Sequence, residues 1–456
     1  MSLEKKQCTA RKGVMSWMLF DWAAQPFHTL ILTFVFAPYF TSQVASSSVV
    51  GQSYWGYVVG ISGLLIAVLS PILGAVADAS GPRKPWILGF SVLGALGSFA
   101  LWFMVPELSN TGILLGLFAF GLALVGFEFA AVFNNAMMPD LVPREELGKL
   151  SGSSWALGYL GGLMSLVLVL GFMVGNPNTG ITLIGMSPIL GLEATTFQGD
   201  RASGPLTALW LILFIIPLFL FTPDQKRKKP ASGVIKKSLC NLLETLKGLP
   251  RQKSLSSFLL SSMLYRDALN GLYAFGGIYA AGVLQWSIIQ IGIFGILANV
   301  TGAIGAWLGG KMDAKFGSKA VVSCCVWLLI VASVVIVSTD RDAILWWFSV
   351  SQDNYATLPD HVFYSCGALI GAAGGALQAA SRTLMVDQAD PQKMTEAFGL
   401  YALSGRATSF VAPIAIAMVT SLFASQQIGI MPVIVLFAIS LVLLPYVKQQ
   451  GIQSSY

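Results

Sequence analysis

Apolar residues along this chain come in runs of about 20 to 30, broken by short polar or charged segments, and not in the two-residue alternation of a half-buried strand. A bilayer core needs roughly 20 mostly apolar residues per helical span. Twelve runs reach that length, at 14–40, 54–77, 85–105, 111–138, 148–174, 203–222, 256–284, 289–311, 318–338, 361–386, 395–423 and 428–447. Helices are the expected structure, because the short alternating segments of a closed transmembrane barrel do not occur. The fold class predicted is an all-α membrane protein with twelve transmembrane helices.

Composition agrees: 55% of the 456 residues are hydrophobic and only 11% are charged. The net charge of +6 does not point to nucleic acid, because of where the basic residues fall. Lys5, Lys6, Arg11, Lys12, Arg83, Lys84, Arg144, Lys149, nine Lys/Arg between Lys226 and Lys253, and Lys311, Lys315 and Lys319 all lie on one side of the alternating spans. The opposite loops hold Arg201 and Arg341. This positive-inside bias predicts cytoplasmic termini and a cytoplasmic central loop. The first apolar run is too long for a secretory leader and lacks its small-residue cleavage site. Cys8, Cys240, Cys324, Cys325 and Cys366 show no metal or disulfide spacing. With no nucleotide loop, no metal spacing and only His28 and His361, the sequence argues against an enzyme and predicts no cofactor or metal.

The stretch from Thr222 to Ser254 divides the chain into a six-span bundle over 1–222, a cytoplasmic linker over 223–255 and a second bundle over 256–456. In the linker, VIKKSLCNLLETLKGLP has the spacing of a short amphipathic helix. The halves repeat. Laying 137–158 over 384–405 matches Met138 with Met385, Asp140 with Asp387, Gly152 with Gly399 and Gly158 with Gly405. Laying GAVADASGPRKP (74–85) over GGKMDAKFGSKA (309–320) matches Asp78 with Asp313. Two six-helix halves repeated in one orientation are a transporter design, with a substrate site expected between them near mid-membrane.

GAVADASGPRK resembles the G-x-x-x-D-x-x-G-R-K loop of the major facilitator superfamily, with Pro82 inserted before Arg83. DWAAQPF, NNAMMPDLVPREELGKLSGSSWALGYLGG, FLLSSMLYRDALNGLYAFGGIYA, GGALQAASRTLMVD and FGLYALSGRA resemble the branch of that superfamily that includes the autophagy-related vacuolar amino-acid effluxer and many bacterial permeases. GPRKPWIL is also similar to the glycoside and pentoside cation symporters. The resemblance implies a monomeric secondary transporter in a bacterial inner membrane. It would move a small polar or zwitterionic, amino-acid-like solute by alternating access, coupled to H+ or, alternatively, Na+. The rival functions are a cation-coupled glycoside symporter and a lipid-handling or receptor membrane protein.

An ionisable side chain at depth costs on the order of 2.5–3.5 kcal/mol on insertion scales and is expected to face a cavity or a partner. Asp21, His28, Glu128, Arg266, Asp267, Arg382 and Arg406 meet that description, and the resemblance places the helices that carry all but Arg406 around a central cavity. Glu128, Asp267 and Asp21 are the candidates for proton coupling, Asp21 matching Asp267 across the repeat. Arg266, Gln25, His28, Asn270, Asn134, Gln378 and Arg382 are the candidates for solute binding, Arg266 because a guanidinium fork suits a flat carboxylate. Each has a structural alternative: a helix cap for Asp21, an ion pair for Arg266, a backbone hydrogen bond for His28, and loop anchoring for Asn134, Gln378 and Arg382. Asp78, Arg83 and Lys84, with Asp313 as a weaker echo, match the loop that the superfamily uses for gating.

Overall fold

The computed structural model describes residues 11–46, 48–226, 244, 247–284, 286, 288–349, 358–409 and 411–449. Most of the predicted linker helix lies outside them. Contacts divide the chain into two units, Met1–Pro143 with Leu157–Ile235, and Arg144–Ala156 with Lys236–Tyr456.

The first unit is built from α1 (Arg11–Pro26), α2 (Ser48–Ser80), α3 (Lys84–Ala100), α4 (Asn110–Leu141), the later turns of α5 (Leu147–Leu168) and α6 (Gln198–Phe221). Helix α1 packs along α6, while α3 packs on α4 and α6. The approach of α3 to α4 is set by glycine: a Cβ on Gly97 would collide with Ala119 and Ala123, and one on Gly126 with the backbone of Phe90 and Gly94. Gly161 and Gly162 of α5 similarly admit Trp22 and Gln25 of α1 and Thr29 just beyond it. Past Pro26, which has no N–H to give, the chain continues in wider π-helical turns over Phe27–Phe34. Ser109 Oγ accepts from Gly112 N at 3.3 Å and caps α4.

The second unit holds the first turns of α5 with α7 (Lys253–Gly282), α8 (Ile288–Phe316), α9 (Ser318–Val337), α10 (Leu358–Gln388), α11 (Met394–Ala407), α12 (Val411–Phe423) and α13 (Met431–Leu443). Helices α8 and α10 share its most extensive contact, made possible by Gly305, Gly371 and Gly375, where any Cβ would strike the backbone of the opposing helix. Strands β1 (Ala343–Ile344) and β2 (Phe348–Ser349) pair as a small hairpin between α9 and α10.

Among the described residues, nine helical segments are long and apolar enough to cross a membrane. The remaining three of the twelve expected spans are those of α1, of α7, and of α11 with α12. The first and seventh carry the buried or half-buried charges of their runs, and the eleventh is divided after Ala407 into helices of 14 and 13 residues, each shorter than a span.

Candidate functional site

In the first unit, Asp21, Gln25 and His28 follow one another at i, i+4 and i+7, and all three are half-exposed between buried neighbours. They form one stripe of the first span. Asp21 passes Gly158 of α5, where even an added Cβ would stand 3.4 Å from its own Cβ. On α4, Glu128 lies on the half-exposed face with Val125, Ala131 and Asn135. Asn134 is on the other side: it is fully buried, and its backbone carbonyl accepts the Trp17 indole N–H at 2.9 Å.

In the second unit, Arg266, Asn270 and Tyr273 repeat the spacing on the open face of α7. The Arg266 guanidinium lies 4.4 Å from the centre of the Tyr401 ring and donates through Nη1 to Tyr401 O at 3.0 Å. It rests over Gly405, where a side chain would collide with the guanidinium. Tyr265 and Asp267, one residue to either side, point into the bundle: Tyr265 Oη meets Ser381 Oγ at 2.7 Å, and Asp267 Oδ2 accepts from Ala412 N at 3.0 Å. Asp267 therefore holds the start of α12, directly after the break in the eleventh span, and is 3% exposed. Its sequence partner Asp21 has an open environment instead. Gln378 is half-exposed on α10. Arg382 is buried, its Nε donating to Ser151 Oγ at 3.0 Å and its Nη2 to Ser151 O at 2.8 Å.

The loop residues form two related networks. In the first unit Arg83 Nη1 donates to Asp140 Oδ2 at 2.8 Å and Nη2 to Asp78 Oδ1 at 3.4 Å. Asp224, beyond α6, caps α3 by accepting from Arg83 N at 3.0 Å and Lys84 N at 2.9 Å. Gln225 Nε2 donates to Asp140 at 3.0 Å, and Lys84 Nζ to Phe219 O at 3.0 Å. In the second unit the matching lysine, Lys319, donates to Pro445 O at 3.1 Å and Val447 O at 2.7 Å. The position matching Arg83 is Ser318, whose Oγ donates to Asp387 Oδ2 at 3.3 Å. The guanidinium on Asp387 comes instead from Arg144. Asp313 packs against Gly148 of α5, close enough to exclude a Cβ there.

Sequence reading did not assign Arg144, Ser151, Asp224, Gln225 or Tyr401 to the site, and it matched Gly405 with Gly158 only as a repeat position. The loss of an arginine at Ser318 in an otherwise matched loop was the available signal for Arg144. Nothing in the spacing links Tyr401 and Gly405 to Arg266, because only the packing of α7 on α11 brings them together.

The chain is 26% identical to an uncharacterized MFS-type transporter, YxiO, of Bacillus subtilis strain 168, over 95% of this chain and 94% of that one. Its fold is similar to that of the human organic anion transporter MFSD10 (TM-score 0.66, 20% identity, 95% of this chain and 99% of that one). It is also similar to the major facilitator superfamily transporter FucP in its outward conformation (TM-score 0.64, 14% identity, 96% and 99%). The all-α architecture is thus the major facilitator fold. The family model described as vacuole effluxer Atg22 like matches residues 43–453, and the chain belongs to that family of integral membrane transporters.

Proposed function

We infer that the protein is a secondary active transporter for a small zwitterionic or carboxylate-bearing solute of the amino-acid type, driven by protons and working by alternating access. The observation that carries this reading is Arg266. Among the described residues no carboxylate forms an ion pair with it, yet it lies within a span, on an open face, beside the exposed Asn270 and Tyr273. A cation so placed needs an anion to offset its desolvation. With Nη1 committed to Tyr401 O, the other guanidinium donors are available to a solute carboxylate.

In the first unit, Asp21, Gln25 and His28 are the polar stripe assigned to solute contact, and in the second Gln378 adds an amide. Glu128, half-exposed on α4, is the proton-binding carboxylate, with Asp21 as its companion on α1. Asp267 has a supporting part, fixing α12. Asn134 and Arg382, both buried, support the helices that carry the path. Asp78, Arg83, Lys84 and Asp313 belong to the gating loops. The two bundles are 1–222 and 256–456, both termini face the cytoplasm, and the membrane is a bacterial inner membrane.

The test is transport by the purified protein in liposomes, after a thermal-shift screen of amino acids, peptides, sugars and betaines to find a solute that stabilises the folded state. Replacing Glu128 by Gln is expected to abolish accumulation driven by a proton gradient while leaving solute exchange partly intact. Unchanged accumulation removes Glu128 from coupling. Sodium-driven uptake of a glycoside would replace this reading with a sugar symporter.

A further inference from the structure

Between α9 and α10 the chain turns back through β1 and β2, with Ile344 opposite Phe348. Trp347 N donates to Ile344 O at 3.3 Å across the turn. Its two central residues, Leu345 and Trp346, both stand at positive φ, 54° and 58°. Such a turn ordinarily takes Asn-Gly, because a bulky residue is strained in the left-handed region. Strain of this kind persists where the surrounding structure imposes it, and it gathers at functional places. Here the side chains held by that strained backbone do not pack. Leu345 is 40% exposed, Trp346 56%, Trp347 87% and Phe348 67%.

The base of the hairpin is tied down. Asp340 Oδ1 accepts from Asp342 N at 2.9 Å and Ala343 N at 2.7 Å, Arg341 pairs with Asp360 at 2.9 Å, and Trp346 N donates to Ser338 O at 2.9 Å. The hairpin is therefore a braced platform for four apolar side chains.

Its position says what meets them. Helix α9 begins at Ser318, between Lys315 and Lys319, and runs for 20 residues. At 1.5 Å per residue that is about 30 Å, the thickness of the hydrocarbon core. The hairpin thus emerges at the interface opposite the lysines. Along α9, Trp327, Val331 and Val334 are exposed at i, i+4 and i+7, an apolar stripe suited to lipid. Ser338, buried at the end of the helix, accepts from Trp346 N through its carbonyl and so ties the hairpin to that end of α9.

We propose that Leu345, Trp346, Trp347 and Phe348 form an interfacial anchor, seated in the headgroup region of the leaflet opposite the lysine-rich loops. Indole rings suit that layer, with an apolar body toward the acyl chains and an N–H toward water.

The test uses the full chain in phosphatidylcholine–phosphatidylglycerol vesicles. Subtracting the tryptophan emission of W347F, and of W346F/W347F, from that of the natural sequence isolates these two of the twelve tryptophans. The difference signal is expected to be quenched at least twofold more by lipids brominated near the headgroup end of the acyl chain than by lipids brominated near its methyl end. Aqueous acrylamide should quench it weakly. Strong acrylamide quenching without a bromolipid effect would place the tip in water and overturn the anchor. Shielding from both quenchers would overturn it too, by showing that a second copy of the chain or another protein covers the tip. Trp347 is so exposed that W347F is expected to fold, and its difference signal decides the question even if the double variant fails to reconstitute.

Discussion

Arg266 owes its pose to the side chain that Gly405 lacks. Gly405 leaves room for the guanidinium to lie flat on Tyr401, and Gly405→Ala is expected to lift it off. Loss of one charge-assisted hydrogen bond and the ring contact corresponds to about 1.5–3 kcal/mol, so apparent solute affinity should fall on the order of tenfold to a hundredfold in proteoliposome uptake, with expression little changed. An affinity equal to that of the natural sequence would remove Arg266 from solute binding. Asp267 is expected to behave differently. Asp267→Asn keeps an oxygen for Ala412 N and should melt close to the natural protein. Asp267→Ala loses the cap, which typically costs about 1 kcal/mol, and should melt lower. The sequence pairs Asp21 with Asp267, yet only Asp21 shares its face with open polar neighbours. A step of one residue turns a helical side chain by about 100°, and the helices that receive the two, α11 for Arg266 and α12 for Asp267, lie more than a hundred residues away. That sorting could not be read from one strand of text, whereas the polar positions themselves were plain in it.

At the scale of the elements, the apolar runs give the helices because a bilayer leaves few alternatives, and their boundaries fall close to the charged loops. The pairing of helices is set by where side chains are absent. Gly162 of α5 meets Gln25 of α1 and Thr29 of the π-helical turns that follow it, and an added Cβ would clash with the Thr29 hydroxyl. Gly162→Leu is expected to push α1 from α5 and destabilise the first unit by about 1–3 kcal/mol, seen as a lower melting temperature in detergent. An unchanged melting temperature would mean that α1 is not held there. The break between α11 and α12 was not legible in the run 395–423. Arg406, Thr408 and Ser409 stand at that point, but polar side chains do not by themselves end a helix, and the residue that holds the restart, Asp267, comes from α7.

Across the whole molecule, the repeat seen in the text is matched by equivalent bonds, but with one exchange. Lys84 and Lys319 each bind carbonyls at the end of the last helix of their half. Asp140 and Asp387 each receive an arginine, from Arg83 in one unit and from Arg144 in the other. Asp387 has a fully buried side chain, and that of Arg144 is 30% exposed. Removing one partner of a buried pair costs about 3–5 kcal/mol. Solvent screening of Arg144 reduces this to about 1–3 kcal/mol for Arg144→Gln. Arg144→Gln combined with Ser318→Arg restores the arrangement of the first unit, and the double variant is expected to regain at least half of the lost stability in thermal melts. No recovery would show that the two networks are not interchangeable. A different consequence follows from the polar stripes of α1 and α7, and it concerns how the chain is made. Segments with polar side chains at depth partition poorly into lipid by themselves. During synthesis these two are expected to wait at the translocon for the next apolar segment and to enter the bilayer as helical hairpins, α7 together with α8, so that the helices richest in polar side chains depend for their insertion on the plainest ones.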